Sequence, residues 1–131
     1  MIIVDTSVWI DYFNGKITPY TDHLDKELLN GNVALGDLIL LEILQGIKND
    51  KQYTKTKDTL QKLDQYEMLG QEMVIRCADY YRSLRKKGLT IRKTADVIIA
   101  TFCIENRLPL LFTDRDFAPF VEHCGLQEVR P

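Results

Sequence analysis

The chain has 131 residues, 45% apolar and 27% charged, which suits one globular domain spanning residues 1–131 around a single core and argues against a second. A net charge of −2 gives no overall attraction for a polyanion. Three cysteines without a C-x-x-C pair argue against a disulfide framework or zinc site, and no apolar run approaches the ~18 residues of a membrane span.

The chain opens on Met1-Ile2-Ile3-Val4, which lacks the polar alternation of a half-exposed strand, so residues 1–5 read as a strand buried on both faces. A short helix follows from Val8-Trp9-Ile10 to Phe13, ended by Asn14-Gly15, and a second covers 20–30, closed by Asn30-Gly31. Val33-Ala34-Leu35 reads as a short strand, after which Asp37 is placed to cap a helix. That helix carries Leu38-Ile39-Leu40-Leu41 and Ile43-Leu44, is apolar all round, and is therefore expected to be buried.

A polar helix is predicted at 50–64, a strand at Glu67-Met68-Leu69 and a helix at 71–87, where Met73, Cys77, Tyr80, Tyr81 and Leu84 recur at the spacing of a core-facing stripe. A helix at 95–106, a strand at 110–113, a short helix at 117–123 and a last strand at 126–129 complete the pattern. Such alternation predicts an α/β fold of three layers, α/β/α, with a mostly parallel central sheet. The chain enters its first strand without a basic, cleavable leader, so a cytoplasmic location is expected.

Four acidic residues stand out against this background. Asp5 closes the first buried strand and Asp114 follows Leu110-Leu111-Phe112-Thr113; in parallel sheets, ligands collect beyond the carboxyl ends of strands. Glu42 interrupts the apolar helix, where an unpaired ionised carboxylate is costly and calls for a proton, a partner or a cation. Asp96 lies in the first turn of the helix through Val97-Ile98-Ile99-Ala100; with Thr94 as its N-cap, that position also has an adequate structural reading. His23 and His123 are isolated and read as surface or packing residues.

The small net charge conceals an asymmetry. Residues 76–93 carry a net +6 and residues 48–62 a net +3, leaving −11 for the remainder. A basic face beside an acidic pocket suits a polyanion held by its phosphates, and Arg85, Lys86, Lys87, Arg92 and Lys93 are the positions for such contacts. Residues 85–87 stand just before Gly88, so they equally suit the last turn of a solvated helix with a glycine C-cap.

Ile3-Val4-Asp5-Thr6-Ser7-Val8-Trp9-Ile10-Asp11, the Glu42 helix, Ile91-Arg92-Lys93-Thr94-Ala95-Asp96-Val97-Ile98-Ile99-Ala100 and Leu111-Phe112-Thr113-Asp114-Arg115-Asp116-Phe117 together resemble the PIN-domain ribonucleases. More narrowly, the chain resembles the VapC toxins of toxin-antitoxin modules. The resemblance spans essentially the whole chain, with motifs in the family's order.

It implies that Asp5, Glu42, Asp96 and Asp114 are catalytic metal ligands, with Asp116 as the further acid some members use. Asp116 also reads as a cap for the short helix after it. Thr6, Ser7 and Thr113 match the family's supporting hydroxyls, although Thr6 and Ser7 serve equally as helix caps. The implied cofactor is one or two Mg²⁺ or Mn²⁺ ions, hard cations that relieve the repulsion among clustered carboxylates. The implied reaction is hydrolysis of an RNA phosphodiester by metal-activated water, leaving 5'-phosphate and 3'-hydroxyl ends, with tRNA one candidate substrate.

The implied partners are a VapB-like antitoxin, a second copy of the chain in a homodimer, and DNA only indirectly through the antitoxin. A non-enzymatic alternative, an inactive PIN-like module that binds RNA or protein, ordinarily lacks a carboxylate, and here all four are present. Phosphoryl transfer through an aspartyl-phosphate fits less well. Ser7 stands where a phosphatase wants its second acid, and Asp114 where a receiver domain wants lysine.

Overall fold

The computed structural model describes residues 1–131 and contains four strands, seven α-helices and one 3₁₀ turn. The strands are β1 (Ile2–Val4), β2 (Val33–Gly36), β3 (Asp64–Tyr66) and β4 (Leu110–Leu111). They form one sheet in the order β3-β2-β1-β4, every pairing parallel. Ile2 pairs with Val33 and Ile3 with Ala34 on one side, and Ile3 pairs with Leu110 and Val4 with Leu111 on the other. Ile3 and Val4 point to opposite faces of the sheet and both are fully buried, so both faces are covered there and the run shows no polar alternation.

The helices are α1 (Thr6–Phe13), α2 (Pro19–Leu29), α3 (Asp37–Gln45), α4 (Asp50–Leu60), α5 (Gln71–Lys86), α6 (Thr94–Glu105) and α7 (Ala118–Cys124). Helices α1 to α4 pack among themselves, as do α5 to α7, and α3 touches α6. A single apolar core joins them, with Trp9, Phe112, Phe117 and Phe120 its largest buried side chains. Trp9 is stacked on Phe13 with ring centroids 5.7 Å apart, and the Tyr12 hydroxyl donates to Asp25, so both aromatics pack the fold. Cys77 and Cys103 are buried free thiols and Cys124 is half-buried. No helix is long and apolar enough to cross a membrane.

Several sequence expectations are corrected. The strand predicted at 67–69 lies at 64–66, because α4 ends at Leu60 rather than 64 and releases Asp64-Gln65-Tyr66 to pair with Ala34-Leu35-Gly36. All three β3 residues are exposed, as an edge strand permits, so no apolar pattern marks them. Met68 instead plugs the core over Gly36, where a Cβ would stand 2.1 Å from the Met68 sulfur. The Met68 N–H is donated to the Asp37 carboxylate, 3.0 Å away, rather than to a strand. Asp37 is thus a tether in the first turn of α3, and Gly36 occupies the N-cap.

Helix α3 is not buried all round. Ile39 and Ile43 face the core, while Leu41 is 57% exposed. Residues 126–129 form no full strand; a single parallel bridge joins Leu110 to Glu128. Thr94 is the first residue of α6 and Lys93 its N-cap, so the capping role expected of Thr94 falls away.

Candidate metal centre

The carboxyl ends of β1 and β4 lie side by side, and the chain leaving each carries acidic residues, Asp5 after β1 and Asp114 and Asp116 after β4. Asp5 follows β1 directly and is the N-cap of α1, but its side chain makes no capping bond. One carboxylate oxygen instead accepts from the Ser7 hydroxyl at 2.9 Å. The Thr6 hydroxyl donates to Glu42 Oε1 at 2.7 Å, holding α3 to the start of α1. Both hydroxyls therefore serve carboxylates rather than the helix end. Ser7 Oγ also lies 3.5 Å from the hydroxyl of Thr113, which links the two strand ends.

Beyond β4, Asp114 caps the 3₁₀ turn at Arg115–Phe117, accepting from the Asp116 N–H at 2.9 Å. The cap is Asp114 itself, so the structural role anticipated for Asp116 passes to its neighbour. Asp116 is left to join Asp96 and Asp114: one ligand oxygen from each of the three lies within 4.8 Å of the others. Asp96 reaches this cluster from the first turn of α6, only 6% exposed, and its Oδ2 is buried without any hydrogen-bond partner.

Electrostatics follow from this crowding. Burial, with repulsion from Asp5, Asp114 and Asp116, pushes the Asp96 carboxyl up to about 6 despite the opposing Lys93 ammonium. Asp5 is likewise raised, chiefly by burial and in lesser part by the Glu42 charge, against the Ser7 hydrogen bond. Asp114 is lowered, first by the Asp116 N–H and then by Lys93. A buried carboxylate with one oxygen lacking a donor, clustered with two further carboxylates, is costly unless a cation or proton meets it. This all-oxygen donor set fits a hard divalent ion. Glu42 is half-buried and stands outside this trio, tied by the Thr6 hydroxyl to the start of α1 next to Asp5.

The basic residues divide. Lys93 Nζ lies 3.3 Å from Asp114 Oδ2, and Arg92 Nη2 lies 3.1 Å from Asp116 Oδ2, so both cations stand on the acidic cluster. Arg85 packs over the Tyr81 ring, while Lys86 and Lys87 border a shallow depression with Arg82 on the exposed side of α5. Arg76 takes no part in that surface; it pairs with Glu105 at 2.7 Å. Sequence reasoning did not foresee the pairing of Arg92 and Lys93 with the acids. Their position just before Asp96 in the chain was the available signal.

The PIN domain family model matches residues 2–121. A VapC ribonuclease of Mycobacterium bovis is 26% identical over 129 residues, covering 97% of this chain and 96% of the relative. Ribonuclease VapC1 of Methanocaldococcus jannaschii is 29% identical over 126 residues, covering 96% and 85%. Among solved structures, VapBC2 from Rickettsia felis bound to a promoter DNA fragment aligns with a TM-score of 0.77 at 20% identity, covering 98% of each chain. FitAcB from Neisseria gonorrhoeae aligns with a TM-score of 0.73 at 17% identity, covering 100% of this chain and 98% of that one. The family match runs over nearly the whole chain and takes in every acidic residue of the cluster, and the chain belongs to the PIN domain family.

Proposed function

We propose that the chain is a metal-dependent endoribonuclease toxin of the VapC type, which inhibits translation by cutting RNA. The observation that carries this reading is the clustering of Asp96, Asp114 and Asp116, one oxygen of each within 4.8 Å of the others, with a buried oxygen of Asp96 left without a hydrogen-bond partner. Asp5, Asp96 and Asp114, with Asp116 and Glu42 beside them, would hold one or two Mg²⁺ or Mn²⁺ ions. Such an ion supplies Lewis acidity toward water and toward the phosphate oxygens.

The chain's own groups do the rest. Ser7 orients the Asp5 carboxylate and Thr6 that of Glu42, fixing two acids against the rotation that repulsion favours. Thr113 adds a third hydroxyl at the junction of the strands. Arg85, Lys86 and Lys87 provide positive charge for the flanking phosphates, so binding should weaken as salt rises.

The names of similar structures support an antitoxin partner. Several similar structures are VapBC toxin-antitoxin complexes, two of them bound to DNA, and we assign this chain a VapB-like antitoxin that covers the acidic centre. DNA would then be reached only through that antitoxin. A second copy of the chain suits the apolar face where Leu41, Leu69 and Ile98 border two adjoining clefts, the larger of about 400 Å³.

The test is incubation of antitoxin-free protein with total tRNA in Mg²⁺ or Mn²⁺, against excess EDTA, with Asp96→Asn alongside. Metal-dependent fragments bearing 5'-phosphates, absent in the variant, are expected. Failure of the folded, metal-loaded protein to cut tRNA, ribosomal or messenger RNA would favour a module that binds without cutting.

A further inference from the structure

Lys93 and Arg92 occupy an unusual position for phosphate-binding residues. Each already has a carboxylate partner, and each partner belongs to the cluster that would bind the metal. Asp114 accepts the Asp116 N–H on one oxygen, and Lys93 occupies the other, the oxygen without a backbone donor. Arg92 reaches both oxygens of Asp116, at 3.1 and 3.4 Å, through a single nitrogen. Both cations are largely exposed, with side chains 59% and 77% accessible, so each can swing away without disturbing the core.

Resting on the metal-dependent nuclease reading, we propose that Lys93 and Arg92 are exchangeable counter-ions: they hold Asp114 and Asp116 in the metal-free site, are displaced by the divalent ion, and then contact the substrate's phosphates. Two monovalent cations on long side chains partly neutralise the acids while the site is empty of metal. A divalent ion at the same oxygens repels them, and the nearest anion to receive them is the RNA backbone drawn to that ion. Metal binding and substrate binding are thereby coupled, since one frees the groups the other uses.

The coupling makes a two-signed prediction. With Mn²⁺ alone, followed by the resonance of the free ion at low ionic strength, Lys93→Met should bind the metal about fivefold more tightly than the wild type, because a competing ion pair is gone. Arg92→Met should shift the same way by less, and Lys26→Met, far along the chain on α2, not at all. With Ca²⁺ holding the site and an RNA oligonucleotide as ligand, the double variant should bind about tenfold more weakly and with a shallower salt dependence.

Tighter metal with weaker RNA is the expected pair of results; circular dichroism would verify that each variant is folded. Metal affinity unchanged or weakened in Lys93→Met overturns the proposal, as does RNA affinity that survives loss of both cations. Absence of Mn²⁺ binding by the wild-type chain would instead overturn the metal-dependent nuclease reading beneath it, and the proposal with it.

Discussion

Helix α6 carries a carboxylate near each end, and the two have opposite surroundings. Glu105, in the last turn, accepts from the Tyr80 hydroxyl at 2.7 Å on one oxygen and from Arg76 at 2.7 Å on the other. Asp96, in the first turn, is more deeply buried, has an oxygen with no donor, and faces like charges. The Tyr80 hydroxyl is pushed up to about 12, by burial and then by Glu105, so it remains a donor throughout the physiological range. One end of α6 is a completed clamp between α5 and α6; the other is left incomplete at a cost in stability. Satisfaction of hydrogen bonds thus separates a carboxylate that serves the fold from the one we propose as a metal ligand.

That contrast predicts opposite outcomes for similar substitutions. Asp96→Asn should lower RNA cleavage about 10³-fold, the scale of losing several kcal/mol of metal-derived stabilisation, while the protein stays folded. The fragment yield from tRNA in Mn²⁺ reads this directly, and substantial residual activity would remove Asp96 from the ligand set.

The second expectation concerns pH without metal. The Asp96 carboxyl is raised to about 6 in the folded chain, so between its unfolded value and about 6 the native state holds a proton that the unfolded state has lost. Stability contributed by that proton is full below the unfolded value and is lost as pH rises through the folded one, for a change of about 2 to 3 kcal/mol. Asp114, lowered in the fold, contributes in the opposite sense at more acid pH. Chemical denaturation of the metal-free protein at pH 4.5 and 7 should reveal the decline, and Asp96→Asn should flatten it.

At the other end of α6, Glu105→Gln should destabilise the protein by about 2 kcal/mol, since a charge-assisted pair with Arg76 is broken, yet leave cleavage per folded molecule unchanged. A fall in specific activity would show that the clamp also sets the position of Asp96. Smallest is Thr6→Val, which leaves the Glu42 carboxylate unheld; cleavage should fall about tenfold with little change in melting temperature.

What could be read from the sequence was whatever local pattern carries. Ile2-Ile3-Val4 and Leu110-Leu111-Phe112 announce buried parallel strands because their surroundings are apolar on every side. The acids that follow them fall at the sheet's carboxyl edge for the same reason. β3 gave no such sign, being a three-residue edge strand held by backbone pairing to β2. Helix α3 misled because an all-apolar composition cannot distinguish a helix inside a core from one offering Leu41 to solvent.

Pairings across distant segments were equally hidden. Thr6 with Glu42, Arg76 with Glu105 and Lys93 with Asp114 each depend on how helices settle against one another, which no local periodicity encodes. The carboxylates could be named from their places in the chain. Which of them is capped, neutralised or left without a donor became legible only in three dimensions.

The strand order has a temporal consequence. β1 is separated from its second neighbour, β4, by the other strands and most of the helices, since β4 begins at residue 110, so Ile3 waits for Leu110 while the intervening elements are made. Asp114 and Asp116 come later still. The acidic cluster is therefore completed only after β4 has emerged, and a ribosome-bound fragment ending before β4 carries Asp96 without Asp114 and Asp116, the acids that stand beside it.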